Sequence, residues 1–250
     1  MFSAATDRAW KSFGKTDPYF GVLVEERFRS TQLTDQSLSD FFLSGEQYVE
    51  AMTERIGRRF NRPTRFRRAL DFGCGVGRLL MPLARLSDEA VGVDVSPGML
   101  AEAADNCRRR GLDNVALAAS DDRLAAVQGT FDLVHTYIVL QHIPVRRGMR
   151  VIAALLDRLD PGGVGVLHMT YAKAHWKWRA IGLVKKYVPL AHRLTNLRRG
   201  RPWSAPRMQM NDYDLNRVLG LLQRAGVHDV DVQFTDHGGF WGAALFFQKP

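Results

Sequence analysis

Short apolar runs alternate with stretches of helical periodicity through the middle of the chain. Five of these runs have the length of buried strands, and polar or glycine-rich residues bound each of them. They lie at 68–71, 90–94, 115–119, 131–137 and 164–169. Because helical patterns separate the runs, the order predicts a parallel, doubly wound α/β sheet.

The segment before the first strand is predicted to be helical. Apolar spacing indicates helices over 6–13, 19–29 and 44–59, and Ser44 with Gln47 has the spacing of a capping box for the third. Aromatic residues are dense in this segment, which favours packing of the helices onto the domain. The alternative is that some of these aromatics line a ligand pocket.

The last part of the chain predicts one helix and one hairpin. Asn211 and Asp212 are placed to cap a helix over 213–225 that stops at Gly226. Two apolar runs, at 230–235 and 241–248, flank a turn and predict a closing antiparallel pair of strands.

The first strand carries the most informative motif. It ends in Asp71 and turns through Gly73, Gly75 and Gly77. Glycines at this spacing let the backbone turn tightly and approach a ligand, and a helix that follows directs free N–H groups at it. The second strand also closes with an acid, Asp94, and a carboxylate there can accept both hydroxyls of a ribose.

The pattern Asp-x-Gly-x-Gly-x-Gly differs from the dinucleotide fingerprint Gly-x-Gly-x-x-Gly. It resembles the first motif of class I S-adenosylmethionine-dependent methyltransferases. The Leu-x-Pro-Gly-Gly turn at 159–163 and the closing antiparallel pair also occur in that family. The resemblance implies a Rossmann-like, seven-stranded sheet with S-adenosylmethionine as the cofactor.

On this basis we expect one domain made of four segments. They are an N-terminal helical cap at 1–65, a cofactor-binding core at 66–171, a basic lid or insert after the fifth strand at 172–211, and a final helix and hairpin at 212–250.

The resemblance also implies roles for individual residues at the strand ends. Asp71 would orient the α-amino group of the cofactor, the three glycines would admit its methionine and ribose parts, and Asp94 would bind the ribose hydroxyls. Val95 and Met99 would pack on the adenine.

The acid after the third strand would receive the adenine amino group in this family. Asp121 is favoured for this role and Asp122 is the alternative, while a solvated acidic turn is the plainer interpretation of both.

The exit of the fourth strand would flank the transferable methyl group, with Thr136 and Tyr137 nearest to it. This stretch contains neither Asn-Pro-Pro-Tyr nor Asp-Pro-Pro-Tyr, and it lacks the Pro-Cys pair of pyrimidine C5 methylation. These two nucleic-acid chemistries are therefore disfavoured.

Methyl transfer from a sulfonium depends mainly on alignment and desolvation, but a hydroxyl acceptor also needs a base. Histidine suits that role near neutral pH. The candidates are His135, His142, His168, His175 and His237. Of the candidate bases we favour His168 or Tyr137, whereas His142 has the position of a structural or cofactor-contacting residue.

The net charge of +9 is a local property of one segment. Ten basic residues and no acid lie between 161 and 211, whereas the rest of the chain has 25 basic and 26 acidic residues. Three interpretations stay open for this segment: a lid with a solvated exterior, a site for an anionic acceptor, or a patch over 173–201 that contacts anionic lipid or RNA.

Two cysteines give neither a disulfide framework nor a metal-ligand pattern, so we expect a cytoplasmic protein with no metal. The function predicted from the sequence is methylation of a small-molecule acceptor at oxygen or nitrogen. The alternatives are an RNA methyltransferase that uses the basic segment and a non-catalytic protein that binds S-adenosylmethionine.

Overall fold

The computed structural model describes residues 3–174 and 208–250, with side chains from residue 6 onward. Its seven strands are β1 (Phe66–Phe72), β2 (Ser87–Asp94), β3 (Val115–Ala119), β4 (Phe131–Thr136), β5 (Leu159–Lys173), β6 (Val230–Asp236) and β7 (Phe240–Gln248). The α-helices are α1 (Ser3–Thr16), α2 (Pro18–Val22), α3 (Asp35–Phe60), α4 (Leu80–Arg85), α5 (Pro97–Arg109), α6 (Val145–Asp157) and α7 (Leu215–Arg224). Short 3-10 helices occupy Glu26–Phe28 and Leu140–His142.

The strands form one sheet in the order β3-β2-β1-β4-β5-β7-β6. The first five are parallel, and β7 runs antiparallel to both β5 and β6. Chain order reverses between β1 and β4, which is where open α/β sheets bind ligands. The predicted Rossmann-like sheet with an antiparallel C-terminal pair is confirmed.

Both faces of the sheet are covered, as a parallel sheet requires. On one face, α3 packs through Val49, Met52 and Ile56 against β1, β5 and β7. On the other face, α6 and α7 pack against β1, β4 and β5, with Tyr213 buried among them.

The N-terminal aromatics pack the first helices onto the core. Phe13, Tyr19, Phe20, Phe28, Phe41 and Phe42 form a cluster with Met81 and Met99. Close approach of α1 to α5 depends on two glycines, because a Cβ on Gly14 would lie 2.1 Å from the Ser96 hydroxyl and a Cβ on Gly98 would lie 2.4 Å from the Gly14 carbonyl. Packing therefore explains most of these aromatics.

Three predictions for the N-terminal helices were wrong in their bounds. The third helix starts at Asp35, where Thr34 and Ser37 form a capping box. Ser44 lies inside this helix and its hydroxyl donates to the Phe41 carbonyl. The helix expected over 19–29 is the short α2 followed by a 3-10 turn. Burial of Phe41 and Phe42 sustains the longer helix, and local capping signals do not reveal that packing.

The C-terminal predictions were correct in kind but not in every boundary. Asp214 caps α7, whereas Asn211 donates from its side chain to the carbonyls of Gln141 and Ile143. The Pro-Gly-Gly run is a bulge inside β5, because pairing with β4 jumps from Leu159 to Val164.

The basic segment lies almost entirely outside the described residues, so its predicted lid, anion-binding or membrane role also lies outside them. No helix among residues 3–174 and 208–250 is long and apolar enough to cross a membrane.

Candidate cofactor and acceptor site

A cavity of about 510 Å³ opens at the carboxyl ends of β1, β2 and β4. Ten residues that the sequence analysis named as cofactor-binding or catalytic candidates line it: Asp71, Gly73, Gly75, Asp94, Val95, Met99, Asp122, Tyr137, His142 and His237. Residues from α1, α2 and the loop before β7 close the remaining sides. The parallel register brings these positions together although they are distant in sequence.

Asp71 is held by a buried hydrogen-bonded chain. It lies beside His135 in the register of β1 with β4, and its Oδ1 is 2.8 Å from His135 Nδ1. His135 Nε2 is in turn 3.1 Å from the Tyr48 hydroxyl on α3. The second oxygen, Oδ2, is buried and has no hydrogen-bond partner among the described residues. The carboxylate is therefore fixed on one side and available to a ligand on the other.

The glycine loop brings backbone close to the cavity. Gly73 and Gly75 have φ values of 80° and 54°, and a Cβ there would lie 2.4 Å from Val139 and 2.6 Å from Val22. Gly77 also has a positive φ, 89°, but it lies beside Ala103 and does not line the cavity. Glycine is needed at all three positions for backbone conformation, and at the first two also for space.

Asp94 ends β2 with its carboxylate organised by the loops on either side. Its Oδ1 accepts from the Ser96 N–H at 2.8 Å, and its Oδ2 accepts from the Gly75 N–H at 3.1 Å. Burial raises its pKa to about 6, against the lowering effect of these backbone hydrogen bonds. A ligand that donates to this carboxylate would favour its ionised form.

The loop after β3 places Asp122 in the lining and leaves Asp121 out. Asp122 pairs through Oδ1 with Arg147 Nε at 2.6 Å and through Oδ2 with Arg150 at 2.7 Å. Asp121 is exposed and accepts from the N–H groups of Arg123 and Ala125, which lowers its pKa. Of the two acids, the geometry therefore favours Asp122 as the cavity residue.

The N-terminal helix closes the cavity near Asp122. Arg147 also contacts Asp7 of α1 at 2.7 Å, and Thr6 donates to Gln209 at 2.9 Å. Trp10 packs edge-on against His142, with ring centroids 5.0 Å apart. Sequence reasoning did not select these lining residues, since no local signal showed that α1 would reach the strand ends.

The exit of β4 contains a strained residue. Ile138 lines the cavity and has a φ of 59°, an unfavourable conformation for a β-branched residue. Its N–H donates to His168 Nδ1 at 3.3 Å, and Tyr137 packs over the His168 ring at 4.7 Å. Such strain clusters at functional sites. Thr136 is fully buried and does not line the cavity.

The histidines have different surroundings. His168 is fully buried outside the lining, with Nδ1 accepting from Ile138 and Nε2 2.9 Å from the Thr235 hydroxyl; burial lowers its pKa to about 3. His142 donates through Nδ1 to the Gln209 carbonyl, and burial lowers its pKa to about 4. Both are neutral near pH 7.

To the cavity lining, His237 contributes a buried nitrogen that has no hydrogen-bond partner in the described part of the chain. It lines the cavity, its ring lies 6.1 Å from that of Tyr137, and its Nε2 has no hydrogen-bond partner among the described residues. Partial burial lowers its pKa. The sequence named His237 among five histidines, but only the turn between β6 and β7 brings it to the site.

The sheet order, the glycine loop and the two acid-tipped strands together define a nucleotide-binding α/β domain of the methyltransferase type. The family model described as "Methyltransferase domain" matches residues 69–163. These residues therefore match a methyltransferase domain family, in agreement with the resemblance that the sequence motifs indicated.

Two curated relatives are similar over part of their length. The ubiquinone biosynthesis O-methyltransferase of Methylococcus capsulatus is 35% identical over 118 residues, which are 47% of this chain and 45% of that protein. The aklanonic acid methyltransferase DauC of Streptomyces is 34% identical over 137 residues, 53% of this chain and 61% of that one. The matches thus span about half the length of these relatives.

A solved structure extends the likeness in fold to nearly the whole chain. Magnesium protoporphyrin IX methyltransferase from Synechocystis, crystallised with its bound S-adenosylmethionine, superimposes with a TM-score of 0.61 at 16% identity. The alignment covers 98% of this chain and 97% of that one.

Proposed function

We propose that this protein transfers the methyl group of S-adenosylmethionine to a small-molecule acceptor, at oxygen or nitrogen. The observation that carries the proposal is that two acids lie beside the glycine loop in one cavity. Asp71 has a buried oxygen without a hydrogen-bond partner among the described residues, and the Asp94 carboxylate is held by two backbone N–H groups. The cavity between them is large enough for a nucleoside with an amino-acid side chain.

The residues present fit this cofactor. Asp71 would receive the α-ammonium group, Asp94 the two ribose hydroxyls, and Val95 with Met99 an apolar adenine face. Asp122 would accept from the adenine amino group. The bound sulfonium would supply an electrophilic methyl and a good leaving group, so this chain's own task is to hold it, exclude water and align the acceptor.

The acceptor would enter beside Tyr137 and His237. A hydroxyl acceptor would lose its proton to His237 Nε2, which is neutral near pH 7 because its pKa is lowered. His168 would have an indirect role: it accepts a hydrogen bond from the Ile138 N–H and so holds the backbone beside the cavity in place. Two of the relatives support a small-molecule acceptor, since the names of the Methylococcus and Streptomyces proteins refer to ubiquinone biosynthesis and aklanonic acid.

Calorimetric titration with S-adenosylmethionine and S-adenosylhomocysteine tests the cofactor assignment, with NAD as the negative control. We expect micromolar binding of the first two and none of NAD. A search for S-adenosylhomocysteine release with phenols, carboxylic acids, amines and RNA then tests the acceptor class. Binding without turnover on any acceptor would favour the non-catalytic alternative, and turnover on RNA alone would contradict the small-molecule assignment.

The four-segment organisation, the cytoplasmic location and the anionic, lipid or RNA contacts of the basic segment stay predictions. Substitution of Lys177, Lys185 and Lys186 together by Gln would test the contacts of the basic segment in the same acceptor assay.

A further inference from the structure

A hydrogen-bonded bridge connects the exit of β4 with β5 and β6. His168 Nδ1 accepts from the Ile138 N–H at 3.3 Å, and its Nε2 lies 2.9 Å from the Thr235 hydroxyl. A neutral imidazole that accepts at Nδ1 carries its proton on Nε2, so this nitrogen donates to the Thr235 oxygen. The bridge therefore joins Ile138, in the cavity lining, to a strand at the edge of the sheet.

The bridge crosses a strand at a glycine. β7 lies between β5 and β6, and its Gly242 pairs with Thr235. A Cβ on Gly242 would lie 2.4 Å from the Thr235 hydroxyl oxygen and 2.6 Å from His168 Nε2. Gly242 does not have a positive φ, so its backbone conformation does not require glycine. The missing side chain instead leaves the space in which the two polar groups meet.

The bridge ends next to His237, the proposed base. His237 directly follows β6, two residues after Thr235, and its N–H donates to the Phe240 carbonyl at 3.1 Å. Its ring lies 5.3 Å from that of His168 and 6.1 Å from that of Tyr137. Because the turn after β6 is short and hydrogen-bonded, the position of β6 determines where this imidazole lies in the cavity.

We propose that Thr235 is a positioning residue, which through His168 fixes where His237 meets the acceptor hydroxyl. Gly242 belongs to the same arrangement, since it leaves the space for the contact. This inference rests on the proposed function, because it takes His237 Nε2 as the atom that receives the acceptor proton. Displacement of a reacting group by about 1 Å can lower a rate about 100-fold. The bridge supplies positional accuracy that a turn at the sheet edge would not have by itself.

The geometry can be tested without an acceptor. In protein labelled with 15N-histidine and saturated with S-adenosylhomocysteine, NMR should show the His168 proton on Nε2 and a nuclear Overhauser contact between the rings of His237 and Tyr137. Thr235→Val keeps the branched shape of the side chain but cannot accept a hydrogen bond, so the ring contact should be lost. Thr235→Ser keeps the hydroxyl and should retain the contact.

Turnover tests the role in the reaction. With a hydroxyl acceptor, Thr235→Val and Gly242→Ala should each lower kcat about tenfold or more, because a displaced base removes the proton less well. The acceptor KM and the affinity for S-adenosylhomocysteine should change less than about twofold, since neither residue is among the described lining residues. Thr235→Ser should restore most of the rate. Thr130→Val and Gly220→Ala are matched controls, because Thr130 is exposed and Gly220 has space for a Cβ.

The outcomes separate positioning from a general structural role. A proton on Nδ1 of His168, or an unchanged ring contact and kcat in Thr235→Val, would overturn the proposal. An equal loss in Thr235→Ser, or a parallel loss of S-adenosylhomocysteine affinity, would overturn it as well. If Gly242→Ala fails to fold, the Thr235 variants still decide. Wild-type protein that methylates no hydroxyl acceptor would instead contradict the proposed function, whereas the ring contact tests the bridge independently.

Discussion

Asp122 has both carboxylate oxygens paired with arginines, whereas Asp71 keeps one buried oxygen without a partner among the described residues. We call these regions the Asp122 end, with Arg147 and Asp7, and the Asp71 end, with Arg78. At the Asp122 end, both carboxylate oxygens already have partners within the protein. The Asp71 end has charges that only a ligand can complete, which indicates where binding energy is concentrated.

The two ends also differ in what supports them. The Asp71 end is built from adjacent strands and the long helix α3, through His135 and Tyr48. The Asp122 end depends on ion pairs to α1, with Arg147 and Asp7 only partly buried. We therefore expect rigid recognition at the Asp71 end and a closure that opens more easily at the Asp122 end.

The largest expected effect concerns chemistry beside the Asp71 end. With a hydroxyl acceptor, His237→Gln should lower kcat about 100-fold, because a positioned base contributes on that order. Affinity for S-adenosylhomocysteine should stay within twofold, and activity of the wild type should fall only as pH drops below the lowered pKa of His237. Exposed His228→Gln is the control. An unchanged kcat would exclude His237 as the base.

Asp94 lies between the two ends and should matter most for affinity. Asp94→Ala should weaken S-adenosylhomocysteine binding at least tenfold, since a hydrogen bond to a charged group contributes about 1.5 to 3 kcal/mol. Exposed Asp113→Ala provides the control for calorimetry. An unchanged affinity would show that the ribose assignment is wrong.

The raised pKa of Asp94 gives this affinity a pH dependence. Because its pKa is about 6 without ligand, protonation below that value removes the acceptor. Affinity should be constant above pH 7 and fall by up to about tenfold per unit below pH 6. Asp94→Asn should abolish this fall in affinity at low pH. Titrations with S-adenosylhomocysteine between pH 5 and 8 in one mixed buffer would show whether the fall persists in the variant.

A direct comparison of the two ends needs one neutral variant at each. Asp71→Asn should weaken S-adenosylhomocysteine binding about tenfold or more, and Asp122→Asn about threefold, because its carboxylate is already neutralised. With 5′-methylthioadenosine, only Asp122→Asn should have an effect. A larger loss from Asp122→Asn with both ligands would reverse the comparison.

The smallest effect is expected at the ion pair between Asp7 and Arg147. Asp7→Asn should cost the closed state at most about 1 kcal/mol, as is typical of partly exposed pairs, and mainly speed release of S-adenosylhomocysteine. Stopped-flow displacement would measure this rate, with Asp40→Asn at an exposed pair as control. A slower release would contradict a closing role for α1.

The sequence predicted the strands well because buried parallel strands are short apolar runs that turn residues interrupt. It also located Asp71, Asp94 and the glycine loop, since their roles depend on local backbone. It missed the start of α3 at Asp35, because aromatic packing extends the helix beyond the apparent cap at Ser44.

The sequence by itself determined the sheet, its acid-tipped strands and the methyltransferase motifs, because these depend on residue patterns within single elements. Only the tertiary structure decided which polar groups share the cavity. Arg78, Asp122 and His237 meet there through contacts between elements distant in the chain, and burial then decides which of their atoms are paired. Local periodicity does not contain that information, since pairing depends on distances set by packing.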